Sequence, residues 1–238
     1  MQIIILAAGK GSRMKSDLPK VMHKVAGKPM IEHVIENCSK VTEDLVLVYS
    51  DHLKPYLNKF DKACKLAKQG KQLGTADATA TAKKLFSKDK SIGVIYGDNP
   101  LISSNIIKGL FKHLDKTNSS AVTLAFNFDQ ENQYGRIILD TEGNFKRIVE
   151  SKFANEEEKK ITLCNSGIMA FAPGILEKYI DDCLVPDSEH PTKELYLTQI
   201  IEICSKNGEK VSYFKSTEHQ KVIGVNTQEE LTQANTLI

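Results

Sequence analysis

Two hydrophobic rhythms alternate along the chain. A continuous apolar run occupies residues 3–8, and similar runs recur at 45–49, 92–96 and 121–125, the last broken only by Thr123. Runs of this length without interleaved polar positions suit strands covered on both faces, as in parallel sheets. Between them the spacing turns helical. Met30, Ile31, Val34 and Ile35 mark a helix over 29–38, and Ile106, Ile107, Leu110, Phe111 and Leu114 mark one over 106–114. An Ala- and Lys-rich stretch at 77–86 reads as another. This strand–helix alternation predicts an α/β fold: a Rossmann-like, mostly parallel sheet flanked by helices, with right-handed crossovers. Beyond about Asn127 the pattern changes. Residues 134–138 and 145–150 flank the turn cluster Asp140-Thr141-Glu142-Gly143-Asn144, which predicts a hairpin and so a small antiparallel insertion in the second half. The charged stretch 155–160 reads as a solvated helix end or loop, 165–171 as a strand and 195–204 as a helix. Residues 211–214 and 222–225 read as short strands and 227–237 as a closing amphipathic helix. There is no Pro/Ser-rich linker, low-complexity tract or internal repeat, so 1–238 reads as one domain.

Composition narrows the function classes. A chain of 238 residues buries roughly 70–75 % of its unfolded surface, so a full core is available. Apolar residues at 41 % and charged residues at 26 % mark an ordinary globular composition. Lys and Arg total 32 against 30 Asp and Glu, a formal charge of +2. That argues against a nucleic-acid partner, which calls for a basic surplus. No apolar run reaches the ~18 residues that span a bilayer, and no basic segment precedes the first run, so it reads as a buried strand rather than a leader. The expectation is a cytoplasmic protein with no membrane partner. The five cysteines (Cys38, Cys64, Cys164, Cys183 and Cys204) are scattered, odd in number and never in C-x-x-C. They are expected to be free thiols in a reducing compartment, with no spacing that supports a thiol nucleophile or zinc site. The absence of Trp weighs against carbohydrate binding by broad aromatic stacking.

Candidate chemistry collects after the predicted strands. The first run passes into Gly9-Lys10-Gly11-Ser12-Arg13-Met14. In open α/β sheets ligands bind beyond the carboxyl ends of strands, and glycines there let backbone N–H groups converge on an anion. The segment is neither a Walker loop nor G-x-G-x-x-G, because Met14 replaces the third glycine. Lys10, Arg13 and Lys20 supply cations, Arg as a bidentate phosphate ligand and Lys as a point charge. The alternative is a Gly-rich turn with solvated basic residues. Tyr96-Gly97-Asp98-Asn99-Pro100-Leu101 closes the third run. Asp98 is either a hard oxygen ligand suited to Mg²⁺ or an Asx-turn residue ahead of Pro100. In Gln69-Gly70-Lys71-Gln72-Leu73-Gly74-Thr75-Ala76 a carboxamide matches a uracil edge and Gly74 lets the backbone lie against a base, although single Gln residues are more often surface.

Together these segments resemble a known pattern. Leu6-Ala7-Ala8-Gly9-Lys10-Gly11-Ser12-Arg13-Met14 followed by Leu18-Pro19-Lys20 resembles the signature of sugar-1-phosphate nucleotidyltransferases. Tyr134-Gly135-Arg136-Ile137 and Gly224-Val225-Asn226 narrow the resemblance to the uridyltransferase domain of the bifunctional bacterial family that makes UDP-N-acetylglucosamine, a cell-envelope precursor. Supporting segments at 148–150, 165–168 and 194–198 extend it over essentially the whole chain. The resemblance implies a nucleotide-diphospho-sugar transferase fold and transfer of UMP from UTP to N-acetylglucosamine-1-phosphate with release of pyrophosphate. It implies a nucleotide-binding half at 1–126, a sugar-phosphate-binding half at 127–226 and a terminal helix at 227–238. Leu6, Ala8, Gly9, Gly11, Lys20, Gln69, Gly74 and Thr75 would hold the nucleotide. Tyr96, Gly135, Glu150, Asn165 and Thr198 would hold the sugar phosphate, Arg13, Lys20 and Asp98 would be catalytic, and Asp98 and Asn226 would hold Mg²⁺.

The sequence departs from that pattern at three places. Asp77 stands where the family usually has His, Ser151 and Phe153 alter its Glu-His-Lys-Asp segment, and Gln199 follows Thr198 in place of Asp. The family's β-helical acetyltransferase domain, which also makes its trimer, has no hexapeptide repeat here. The expectation is a monomer or weak dimer; acetyl transfer is not assigned to this chain, and a separate acetyltransferase partner is one of the alternatives for it. The alternatives are a nucleotidyltransferase for another sugar-1-phosphate or for a cytidylyl or molybdopterin acceptor, and a non-catalytic UTP-binding remnant.

Overall fold

The computed structural model describes residues 1–129, 132–185 and 194–238. In chain order the first half holds β1 (Gln2–Leu6), the short strands β2 (Lys24–Val25) and β3 (Lys28–Pro29), α1 (Met30–Ser39), β4 (Leu45–Tyr49), β5 (Lys65–Lys68), α2 (Thr75–Thr81), β6 (Ile92–Tyr96), α3 (Ser104–Thr117) and β7 (Ala121–Asn127). The second half holds β8 (Gly135–Leu139), β9 (Phe145–Val149), α4 (Glu156–Lys159), β10 (Leu163–Phe171), α5 (Ile175–Tyr179), α6 (Gln199–Lys206), β11 (Val211–Lys215) and α7 (Gln228–Thr236).

The main sheet runs β11-β7-β10-β6-β1-β4-β5, with β8 and β9 leaving it from β10. Along that path β10 alone is reversed; the other strands run parallel to one another. Alternation along each buried strand feeds two cores. Ile3 and Ile5 of β1 face one, with Leu45 and Leu47 of β4 and the apolar faces of α1 and α3. Ile4 and Leu6 face the other, with Val46 and Val48 and the buried residues of α2, α5 and α6. Both faces are covered, which is why these strands read as unbroken apolar runs. A third, smaller cluster of Val25, Met30, Val225 and Ala234 seats α7 on the β2–β3 ribbon. The ribbon turns through Ala26 and Gly27, both at positive φ, the geometry of a tight hairpin turn.

Two expectations are corrected. Residues 222–225 form no strand. Val222 and Val225 are buried, but the segment is held by isolated hydrogen bonds rather than a ladder, among them Asn99 Nδ2 to the Val222 carbonyl at 2.7 Å and the Val225 N–H to the Asp98 carbonyl at 2.8 Å. Its apolar residues serve packing over a loop rather than a ladder. The predicted helix at 195–204 begins only at Gln199. Leu195 instead donates its N–H to the Leu73 carbonyl at 2.7 Å and accepts from Ala76 at 2.9 Å, and a residue paired that way cannot join the helical ladder. The five cysteines are buried and unpaired. Among the described residues no helix is long and apolar enough to cross a membrane.

Candidate active site

The carboxyl ends of β1 and β6 open into a cleft of about 750 Å³. Adjacent parallel strands that end together leave their following loops side by side, and here those loops are 7–14 and 97–101. The Gly97 N–H donates to the Leu6 carbonyl at 2.9 Å, so Asp98 leaves the sheet beside the first loop. Gly11 takes φ +64°, and a Cβ there would lie 2.6 Å from the Cβ of Lys20. The turn that carries Arg13 therefore packs directly on the backbone that carries Lys20.

Four predicted residues meet at one point. Lys20 Nζ is ion-paired with Asp98 and donates to Asn226 Oδ1 at 3.0 Å. Arg13 donates through one Nη to the same Asn226 oxygen at 3.0 Å and through the other to Gln133 Oε1 at 3.0 Å. Asn226 is brought 213 residues along the chain to Arg13 by the Val225–Asp98 backbone bond and by the capping box of α7. In that box Thr227 and Glu230 close the first turn, and Glu230 accepts from the Asn226 N–H at 2.5 Å. The Lys20–Asp98 pair is mostly shielded, at 14 % and 15 % side-chain exposure, so salt screens it less than a surface pair.

The opposite wall is the Gln69–Thr75 segment. Gln69 is 3 % exposed, and its Nε2 donates to Asp77 Oδ2 at 2.5 Å and toward the Gly74 carbonyl at 3.4 Å. Gln72 donates its amide to the Ala8 carbonyl, joining this wall to the first loop. Gly74 adopts φ +133°, and a Cβ there would collide with the backbone of Leu195. The Thr75 hydroxyl accepts from the Leu197 N–H at 2.9 Å.

Leu6, Ala8, Gly9, Arg13, Lys20, Gln69, Gly74, Thr75, Tyr96, Asp98 and Asn226 all line this cleft. Gly11 acts through its contact with Lys20. Gly135, Glu150, Asn165 and Thr198 lie in a second cluster. Gly135 stands opposite Asn165 in the β8–β10 pairing, the Glu150 carboxylate would lie 3.5 Å from a Cβ on Gly135, and Thr198 donates to Glu150 at 2.6 Å. Asn165 Oδ1 accepts from Thr123 at 2.5 Å and from the Gly167 N–H at 3.1 Å, where β10 is bulged. Tyr96 divides the two clusters. Its ring lies 2.9 Å from where a Gly167 Cβ would stand, and its hydroxyl bonds to Thr75. Burial raises the Tyr96 hydroxyl, and the carboxylates of Glu150 and Asp98 raise it further, so it stays a neutral phenol. Burial also holds the Glu150 carboxyl above its ordinary range, opposed by the Thr198 bond.

Sequence reasoning did not single out Gln133, and it met Lys152 and Glu194 only as positions within segments of the family resemblance. Gln133 bonds Arg13 across 120 residues, a pairing with no local signature. Lys152 and Glu194 line the cleft and join through the Tyr196 hydroxyl. Their sequence signal is the resemblance: Lys152 keeps the lysine of the Glu-His-Lys-Asp segment, and Glu194 opens the supporting segment 194–198. Among the described residues no group of three or more His, Cys, Asp or Glu is placed to hold a metal. Asp98 and Asn226 nonetheless aim two hard oxygens at one cation, the Lys20 ammonium. Two protein oxygens completed by phosphate and water suit Mg²⁺, so this donor set fits a divalent ion.

A Rossmann-like sheet with a Gly-rich loop and a cation cluster at its carboxyl edge is the arrangement of nucleotide-binding α/β proteins. Residues 3–196 match the MobA-like NTP transferase domain; the chain belongs to that family and is a nucleotidyltransferase. It is similar to the bifunctional protein GlmU of Desulfotalea psychrophila, 38 % identical over 239 residues that cover 99 % of this chain and 69 % of that protein. It is similar also to GlmU of Clostridioides difficile, 37 % identical over 236 residues, 99 % of this chain and 51 % of that one. The chain thus spans between about half and two-thirds of these relatives. Among solved structures, a putative glucose-1-phosphate thymidylyltransferase from Bacillus anthracis shares the fold, with a TM-score of 0.74 at 21 % identity, over 100 % of this chain and 94 % of the other. The resemblance drawn from the sequence motifs is met by these relatives.

Proposed function

We propose that the chain transfers UMP from UTP to N-acetylglucosamine-1-phosphate, releasing pyrophosphate. The observation that carries the reading is the convergence of Arg13, Lys20, Asp98 and Asn226 between the first loop and the Gln69–Thr75 wall. The nucleotide would occupy the cleft contributed mainly by residues 1–126, and the sugar phosphate would take the neighbouring Gly135–Glu150–Asn165–Thr198 cluster from residues 127–226.

The chemistry needs no general base. A phosphate monoester is already largely dianionic near neutral pH, its second pKa being about 6. One of its oxygens forms a bond to the α-phosphorus of UTP, the bond from that phosphorus to the bridging α–β oxygen breaks, and that oxygen's electron pair leaves with pyrophosphate. The obstacle is the approach of two polyanions, so orientation and charge stabilisation carry the rate. Arg13 and Lys20 neutralise the triphosphate and the departing pyrophosphate. Asp98 and Asn226 would hold Mg²⁺, which when bound polarises phosphoryl oxygens and offsets their charge. Lys20 then exchanges Asp98 for phosphate oxygens. Glu150 accepts from sugar hydroxyls or the acetamido N–H at the far end. A pyrophosphate-release assay with UTP across several sugar-1-phosphates tests the reading. Turnover is expected with N-acetylglucosamine-1-phosphate, and preference for a different sugar phosphate would reassign the acceptor.

A further inference from the structure

Asp77 takes no part in the phosphate chemistry and does not line the cleft, yet it holds a residue that does. Its Oδ2 accepts from Gln69 Nε2 at 2.5 Å, and the other acceptor near that nitrogen is the Gly74 carbonyl at 3.4 Å. Gln69 is otherwise fixed by its own N–H, which donates to the Tyr49 carbonyl at 2.8 Å. A carboxylate and a carbonyl only accept hydrogen bonds. With both on one side of the carboxamide, its NH₂ must face them, and Oε1 is turned the other way. Oε1 meets no donor among the described residues. Nor is it sealed in the protein, since the one side-chain atom there both buried and unpartnered is His23 Nε2. Gln69 lines the cleft, so the group presented to a ligand is a fixed acceptor.

We propose that Asp77 is a positioning residue that sets base selectivity: by locking the Gln69 carboxamide it presents Oε1 alone, selecting a pyrimidine with an N3–H donor and rejecting cytosine, whose N3 is an acceptor. The inference rests on the nucleotide reading of the cleft given above and deepens it. Uracil and thymine place N3–H against Oε1. Cytosine places a lone pair there, and Gln69 cannot turn to meet it without pointing Oε1 at the Asp77 carboxylate. The negative charge at position 77 stands behind Gln69, on the far side from an uncharged base, and so acts on hydrogen-bond sense rather than on the triphosphate.

Calorimetric titration with UTP and with CTP, in Mg²⁺ and without any sugar phosphate, tests this. The chain is expected to bind UTP about tenfold or more tightly than CTP, the effect of one mismatched acceptor pair in a desolvated site. Asp77→Asn keeps the size but can donate as well as accept, which frees the carboxamide to turn. The UTP:CTP ratio should fall below about threefold at an unchanged melting temperature. Asp77→Ala, which suits the helix by propensity, carries the same expectation should the Asn variant melt early. A native chain that binds the two nucleotides alike, or neither, overturns the proposal, as does a variant that melts normally and keeps the native ratio. Turnover does not enter, so failure of the sugar-phosphate assay counts against the proposed reaction and leaves this inference to the nucleotide affinities.

Discussion

Glu150 is a carboxyl group whose burial raises it above the ordinary value of 4.5, with Thr198 pulling it part of the way back. Between the ordinary and the raised value the native chain holds a proton that the unfolded chain has released. Stability is therefore greatest below that window and falls as pH rises through it. Glu150→Gln should remove the fall, giving a melting temperature that gains on the native chain as pH rises above the ordinary carboxyl range; parallel profiles would show that Glu150 is solvated. The cysteines make the opposite case. Burial pushes Cys64, Cys183 and Cys204 up to about 12 and raises Cys38 and Cys164 as well. Since the thiolate is the reactive form, a thiol reagent at neutral pH should label none of the five until denaturant is added, as counted by intact mass. At the proposed catalytic point, Asp98→Ala removes the carboxylate paired with Lys20 and should lower turnover about 10²-fold or more while UTP still binds. Activity persisting near the native rate would move the metal assignment elsewhere.

Among the elements, the Gly74 turn is the most constrained. Its φ of +133° and its contact with the Leu195 backbone leave no room for a side chain. Gly74→Ala should lower stability by about 1–3 kcal/mol, measured by urea unfolding, and should separate Leu195 from the wall that holds Gln69. The same turn shows where sequence periodicity stops being informative. The strands β4 and β6 were legible to the residue because full burial on both faces makes them uniformly apolar. β5 was not. Only Ala67 of its four residues is buried, as befits an edge strand with lysine at each end. Residues 222–225 look like a strand for the same reason β4 does, burial, but no neighbouring strand offers a ladder. In the site, the loops after β1 and β6 were marked as candidates by position with alternatives open, whereas Gly135, Glu150, Asn165, Thr198 and Asn226 were legible only through the family resemblance. Gln133 and the Asp77–Gln69 bond were legible in neither way, because a hydrogen bond between distant side chains leaves no periodic mark on either segment.

For the whole molecule, the decisive feature is the place of β10. It belongs to the second half of the chain, yet it lies between β6 and β7 of the first. A fragment of residues 1–126 would lack β10 and β11, leaving one edge of β6 and both edges of β7 unpaired. It should show no cooperative thermal transition by circular dichroism, whereas the full chain should melt in one step. The site is divided in the same way, since Arg13 waits on an asparagine 213 residues later. That arrangement governs the order of events on the ribosome. β1, β4, β5 and β6 can pair as soon as they emerge, but the apolar edge of β6 stays open until Phe171 is made, several seconds later at about 5–20 residues per second. Through that interval the nascent chain offers a bare strand edge to any neighbour. The cleft closes later still, when Asn226 and α7 leave the exit tunnel, so a chain released before that point by truncation or stalling carries a nearly finished sheet and no activity.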